Sequence, residues 1–239
     1  MISRVLATLD AVAEAPGCDR AALAKATGLP QPTSNRIVAR LVAERLLAER
    51  SGGLRLGLRL FELGTEAAQG GVTLLDVAGP YLVDLHRALG WTAQLAVLDG
   101  DAVVYLLKID GRHRSRLGTR VAGRFPPHCT GAGKALLAYG PPELLTRLGT
   151  LSPRTRKSIT DPEQLVAELR ATRRRGYSVD LGEFQDGMAG VAVPVRPRGR
   201  LVGAVTLAGP VEAFDVPRAA HAARVVAQLI AARLGSQPA

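Results

Sequence analysis

A chain of 239 residues with 47% apolar and only 4% aromatic side chains has material for one large core or two smaller ones, built from Leu, Val, Ala and Ile. Its formal net charge of +10 favours polyanionic partners. No apolar run reaches the roughly 18 residues that a membrane helix needs. Asp10 and Glu14 interrupt the N-terminal stretch that a secretory leader would keep unbroken. The two cysteines, Cys18 and Cys129, fall in segments assigned below to different domains, which argues against a disulfide framework and for the reducing cytoplasm.

In chain order, Ser3 reads as the N-cap of a helix with Val5, Leu6, Leu9, Val12 and Ala13 at helical spacing, stopped by Pro16-Gly17. A second short helix runs from a cap at Asp19 to Thr27, and Gly28-Leu29-Pro30 turns the chain. A third begins near Pro32, carries Ile37, Val38, Leu41 and Val42 inward, and ends near Glu44. Two extended runs around Gly52-Gly53 read as a hairpin. Three short helices followed by a hairpin is the plan of a winged helix-turn-helix. Leu58 to Ala68 reads as a linker helix ending at Gly70-Gly71, and Leu74 to Leu89 as a further amphipathic helix. Strands are expected at Thr92–Leu98 and Ala102–Ile109, then a loop from Gly123 to Gly133 and a helix from Lys134 to Tyr139. A helix capped at Thr160, with Glu163 completing a capping box, ends at Gly176 behind three Arg that suit its C-terminal dipole. Strands at Tyr177–Asp180, Val191–Val195 and Leu201–Ala208, a last helix from Asp215 to Leu234 and a short disordered tail after Gly235 complete an α+β plan.

The third helix has the chemistry of a base-reading helix. Residues 1–70 hold nine Arg and Lys against seven Asp and Glu, yet residues 31–59 hold six Arg against Glu44 and Glu49 alone. A helix in the major groove needs short polar side chains and Arg on its outer face, with few acids. Gln31, Thr33, Ser34, Asn35 and Arg36 meet that demand, Arg40 follows one turn on, and no carboxylate lies between Asp19 and Glu44. Asn35 has the groups to pair with adenine and Arg36 with guanine. Arg50 and Arg55 flank the hairpin tip, within reach of phosphates or a minor groove. The expected partner is a double-stranded DNA operator.

The stretch from Ala21 to Gly64, with its Gly-Leu-Pro turn, recognition-helix Arg and closing Leu-Gly pair, resembles the DNA-binding domain of the IclR family of bacterial transcription regulators. Three later blocks extend the resemblance to about residues 1–235. These are His128 to Ala138, then Arg175 to Asp180 with Glu183, Gly187 and Val191 to Val195, and finally Leu201 to Pro210. The family pattern has Ser where Pro32 stands. The resemblance implies a winged helix-turn-helix domain over 1–57, a linker helix over 58–72, and an α/β, GAF-like domain with a mainly antiparallel sheet over 73–235. That last domain would bind a small-molecule effector and join copies into a homodimer or tetramer that represses or activates genes. It also implies an effector site at His128, Gly131, Ala132, Asp180, Gly190, Thr206 and Ala208. Family members that bind small oxo-acids often carry Cys at the position of Gly190 and Ser at that of Ala208. Their absence here implies a roomier, less polar pocket, for an effector larger or more apolar than a two- or three-carbon acid. On residue chemistry alone, the glycine-rich turn at Gly131 to Gly133 leaves free N–H groups at a helix start, which suits a carboxylate.

Enzyme and metal chemistry find little footing. His128 and Cys129 are adjacent without an orienting third group. The four His (His86, His113, His128 and His221) lack ligand spacing, and there is no Cys-x-x-Cys and no phosphate loop. No cofactor, metal or membrane partner is expected. Two alternatives remain open at this point: a DNA-binding protein that heeds no ligand and whose second domain only oligomerises, and an enzyme of small acids with a degenerate winged domain.

Overall fold

The structure is a computed structural model that describes residues 1–68, 74–112 and 117–236. The chain divides into two units, residues 1–73 and 74–239. The expected break at Gly70-Gly71, His113 within the Arg-rich loop and the end of the expected tail at 237–239 lie outside the described residues.

The first unit contains α1 (Ile2–Glu14), α2 (Arg20–Thr27), α3 (Gln31–Ala43), β1 (Leu47–Arg50), β2 (Gly53–Leu56) and α4 (Leu58–Ala68). Its core is Val12, Leu23, Val38, Leu41, Leu47 and Leu54, one or two from each element before α4. Sequence sets each boundary. Asp19 caps α2 by accepting from the N–H of Ala22 at 2.7 Å. Gly28 ends the helix in the left-handed conformation, φ 64°, and Pro32 sits in the first turn of α3. The antiparallel hairpin pairs Leu47 with Leu56 and Arg50 with Gly53. It is pinned to the turn between α1 and α2: the N–H of Gly17 donates to Leu54 O at 2.8 Å, and the N–H of Leu54 donates to Cys18 O at 2.9 Å. A side chain at Gly53, φ +88°, would meet the main-chain oxygen of Gly17 at 2.2 Å, so only glycine allows this approach. One boundary differs from expectation. Helix α1 starts at Ile2 with no side-chain cap, so Ser3 lies inside its first turn.

The second unit is built on a six-stranded antiparallel sheet in the order β5-β4-β3-β8-β7-β6. The strands are β3 (Thr92–Asp99), β4 (Ala102–Ile109), β5 (Arg124–Phe125), β6 (Ser178–Leu181), β7 (Met188–Val195) and β8 (Gly203–Pro210). Successive side chains alternate between faces. Val191, Val193, Val195, Val205 and Leu207 point to one face, where α5 (Leu74–Leu89) and α9 (Val216–Gly235) cover them. Ala192 and Ala204 point to the other, under α6 (Gly131–Tyr139). Small residues there let α6 sit close. Outside it lies α8 (Pro162–Arg175), whose Leu165 and Leu169 pack on Leu137 and Ala138. The short α7 (Glu143–Thr146) and β5 are too brief to leave a periodic trace in the sequence. The cap of α8 is Asp161, accepting from the N–H of Gln164 at 2.8 Å, one residue beyond the expected Thr160. Helix α6 begins at Gly131 rather than Lys134, because Thr130 caps it by accepting from the N–H of Gly133 at 3.1 Å.

Candidate nucleic-acid interface and ligand cavity

On α3 the outer and inner faces separate cleanly. Gln31, Pro32, Arg36, Ala39 and Arg40 are exposed, Thr33 and Asn35 half-buried. Among the described residues Arg36, Arg50 and Arg55 hold no carboxylate, whereas Arg40 pairs with Glu44 at 2.7 Å. Arg36 and Arg40 share a hollow with Arg4 of α1, a basic residue the sequence did not single out. Gln31 and Asn35 are joined by a hydrogen bond of 3.2 Å.

Ser34 is a correction. It is completely buried, because Ser34, Val38 and Leu41 stand at i, i+4 and i+7 and together form the inner stripe of α3. Its side chain cannot reach a DNA base. The Oγ of Ser34 has no hydrogen-bond partner, which costs free energy in a core. Ser34→Ala is therefore expected to raise the stability of this unit by about 1 kcal/mol and to leave DNA affinity unchanged. Thermal melting and a binding titration check it, and a lower melting temperature or weaker DNA binding would count against the inward placement.

In the second unit a cavity lies between the sheet and the start of α6. Unfilled space, counted together with its opening to solvent, amounts to about 400 Å³. Register explains its floor. Asp180 pairs with Gly190, and Gly190 with Ala208, so these three stand side by side on β6, β7 and β8. Two residues along, on the same face, Thr206 pairs with Gln94 across β8 and β3. Neither Gly190 nor Ala208 carries a side chain beyond Cβ, which leaves the space open. Ser178 ties α6 to the sheet by donating from Oγ to Gly131 O at 2.5 Å. The first ladder bond of α6 joins the N–H of Lys134 to Thr130 O at 3.0 Å, which leaves the N–H groups of Gly131 and Ala132 outside the helical ladder. Both residues line the cavity.

Residues 131, 132, 180, 190, 206 and 208 thus come together as the resemblance implied, and His128 does not. The loop turns its imidazole away, so that Nε2 meets Ser152 O at 3.0 Å. It borders a separate surface hollow with Arg124, Leu148 and Arg154, and burial holds its pKa down. Sequence reasoning missed the other cavity residues. Gln94 donates from Nε2 to Thr119 Oγ1 at 2.8 Å and accepts from Thr206 Oγ1 at 3.2 Å, all three buried. Tyr105, Phe184, Met188 and Leu117 supply apolar wall. A lone Gln inside the otherwise apolar run Thr92–Leu98 was the available signal, since an interior strand keeps a buried amide only where it has partners.

Burial raises the pKa of Asp180 to about 7, the carboxylate of Glu183 adds to the shift, and hydrogen bonds from the N–H groups of Glu183 and Phe184 oppose it. Asp180 is therefore both a turn acceptor and a cavity-wall acid that exchanges a proton near neutrality. Burial also pushes the Cys129 thiol up to about 12, so it is no nucleophile. Among the described residues no group of three or more His, Cys, Asp or Glu could hold a metal ion, and no helix is long and apolar enough to cross a membrane.

Known proteins share this architecture. The family described as bacterial transcriptional regulator IclR C-terminal matches residues 67–233, and the MarR family, another helix-turn-helix group, matches residues 3–53. The chain is 35% identical over 200 residues to the probable transcriptional regulator SauR of Cupriavidus necator, covering 80% of this chain and 77% of SauR. It is 29% identical over 219 residues to the transcriptional repressor IclR of Escherichia coli, covering 88% and 80%. Among solved structures, an IclR homologue from Microbacterium hydrocarbonoxydans, complexed with 4-hydroxybenzoate, superposes with a TM-score of 0.86 at 28% identity over 98% of this chain and 100% of that one. The IclR of Thermotoga maritima superposes with a TM-score of 0.79 at 25% identity over 98% of both. The chain belongs to the IclR family of bacterial transcriptional regulators, with a helix-turn-helix DNA-binding domain at its N-terminus.

Proposed function

We propose that this regulator binds a specific operator through the outer face of α3 and the hairpin arginines, and that an aromatic carboxylate in the second unit's cavity controls that binding. The observation that carries the effector class is the cavity's composition. Apolar walls from Tyr105, Phe184, Met188 and Leu117 enclose two polar ends, the start of α6 and the Gln94–Thr119–Thr206 chain. Spare N–H groups at a helix start suit a carboxylate. The 4-hydroxybenzoate in the Microbacterium relative supports the same class here. Two copies would set their α3 helices in successive major grooves, roughly 34 Å apart. Self-association is supported in the first unit by exposed apolar side chains on α4, where Leu58 and Leu63 are 65% and 48% exposed. Effector binding would shift operator affinity by a coupling of about 1–3 kcal/mol.

The test is calorimetric titration of the full chain with 4-hydroxybenzoate and with pyruvate. The aromatic acid is expected to bind at least about tenfold more tightly, because burying a ring adds more than about 1.4 kcal/mol. Tight pyruvate binding with no response to the aromatic acid would refute the effector class. The titration should also depend on pH. A carboxyl whose pKa rises from 3.8 to about 7 on folding stabilises the folded unit below its unfolded pKa, and that contribution fades as pH climbs through about 7. Once ionised, Asp180 repels a bound carboxylate. Affinity for the aromatic acid should therefore fall as pH rises through about 7, and Asp180→Asn should flatten the profile. An affinity that increases over that window would contradict the placement of the ligand beside Asp180.

A further inference from the structure

Charge in the second unit is segregated. Residues 71–239 hold 22 Arg and Lys against 14 Asp and Glu, yet the stretches 169–179, 187–211 and 216–239 contain no carboxylate side chain. Packing gathers parts of all three at one end of the sheet. The turn between β7 and β8 carries Arg196, Arg198 and Arg200, all exposed. Arg196 lays its guanidinium over the ring of Tyr139 at the end of α6, 4.9 Å from the centroid. Tyr139 donates from its hydroxyl to Arg173 O at 3.4 Å, and Arg173 Nε donates to Ala138 O, so the end of α8 closes on the same place. The end of α9 arrives from the other face of the sheet. A Cβ at Gly235 would lie 3.7 Å from Arg198 Cγ, and Arg233 is exposed two residues earlier. Among the described residues these five arginines hold no carboxylate, and Glu168 of α8 is taken up by Arg175 and Lys134. The negative helix ends of α8 and α9 account for Arg173 and Arg233, but not for the three on the turn. Arg198 stands at φ 48°, ψ 34°, a left-handed conformation that asparagine, aspartate or glycine adopts more readily.

Exposed like charges gathered in this way repel one another and attract a polyanion. Position picks out which one. Gly203, where β8 begins, lies against Leu74: a Cβ on it would meet Leu74 Cδ2 at 2.9 Å. Leu74 opens α5, and only residues 69–73 separate it from α4 of the DNA-binding unit. The arginine turn therefore stands at the end where the chain enters from a unit that already holds a polyanion, and such a tether raises the effective concentration of that polyanion. We propose that this arginine face is a second, sequence-independent DNA contact, which takes the phosphate backbone of the duplex flanking the operator. Guanidinium forks match phosphate oxygens, and no base need be read. Each phosphate neutralised releases condensed counterions and steepens the fall of affinity with salt by about 0.9 on a log–log scale.

The experiment measures binding by the full chain, as a function of salt, to two duplexes that share an operator selected by the wild type. One is trimmed to the operator, and the other is extended by random sequence on both sides. The proteins are wild type, the triple variant Arg196→Ala, Arg198→Ala, Arg200→Ala, and Arg218→Ala as control, each with thermal melting. Arg218 sits in the first turn of α9, about 22 Å along the helix from Arg233. Wild type and control are expected to bind the extended duplex at least about tenfold more tightly than the trimmed one, with a salt slope steeper by about two. In the triple variant the extended duplex should behave like the trimmed one, while melting temperature and affinity for the trimmed duplex stay unchanged. The proposal is overturned by a wild-type slope that ignores the flanks, by a flank contribution that survives the triple substitution, or by an equal loss in Arg218→Ala. It also falls if the triple variant matches wild type on both duplexes yet fails to regulate transcription by purified RNA polymerase, which would give the face to an acidic protein.

Discussion

Replacing Lys134 with Met is expected to destabilise the second unit by about 3–5 kcal/mol. Lys134 is 1% exposed on α6, and its ammonium lies against Glu183 and within 3.7 Å of Glu168. Arg175 also holds Glu168, so that carboxylate keeps a partner in the variant. Glu183 does not. Its second oxygen is already buried without a hydrogen bond, and removing the cation leaves the whole group uncompensated. Desolvation raises the pKa of Glu183, and Lys134 is the chief influence holding it down. In Lys134→Met the carboxyl should take up a proton more readily, so the deficit should be large at neutral pH and shrink as pH falls. The single tryptophan, Trp91, packs on Phe214 with ring centroids 4.6 Å apart and reports unfolding of this unit in urea. A Met variant as stable as wild type at neutral pH, or a deficit that grows in acid, would contradict this account of the ion pair.

Gly133→Ala is the second large expected effect. A Cβ there would lie 2.2 Å from both the Cα and the oxygen of Pro127, and main chain cannot swing aside as a side-chain tip can. Overpacking of this kind costs typically about 1–3 kcal/mol, and more where backbone must move. Because Thr130 and Gly133 together fix the first turn of α6, the displacement also reaches the N–H groups of Gly131 and Ala132 that face the cavity. Both stability and effector affinity should drop. Gly131→Ala is the control, since its Cβ would find its nearest neighbours at 3.7 Å. It should fold with a nearly unchanged melting temperature while narrowing the cavity. Equal melting of the two variants would show that the turn tolerates a side chain at 133.

What the sequence made legible followed from periodicity and local chemistry. Strand β4 occupies Ala102–Ile109 as expected, because a short, nearly continuous apolar run bounded by Asp101 and Asp110 has clear ends. Helix α8 stops at Gly176, φ 81°, where Gly follows three Arg. Contacts that depend on tertiary placement were not legible. His128 stands two residues from Thr130 in sequence, yet the loop directs its ring to Ser152. Ser34 is a different case: it looked like part of a polar face, although its spacing from Val38 and Leu41, both already assigned inward, is the pattern that turns it inward. Gln94 and Thr119 are 25 residues apart and meet only because β3 and the loop after β4 converge on one cavity. Asp180, Gly190 and Ala208 were found through family likeness. Their physical unity is a matter of strand register, which no local pattern encodes.

The most direct test of the central claim compares wild type with Arg36→Ala on two duplexes, one selected from the host genome by the wild-type protein and one of scrambled sequence. Arg36 is exposed on α3 and free of any carboxylate among the described residues. If this face reads base edges, the substitution should weaken binding to the selected duplex about tenfold and affect the scrambled duplex far less, so that discrimination between them narrows. Unchanged discrimination, with both duplexes losing affinity equally or not at all, would contradict the account.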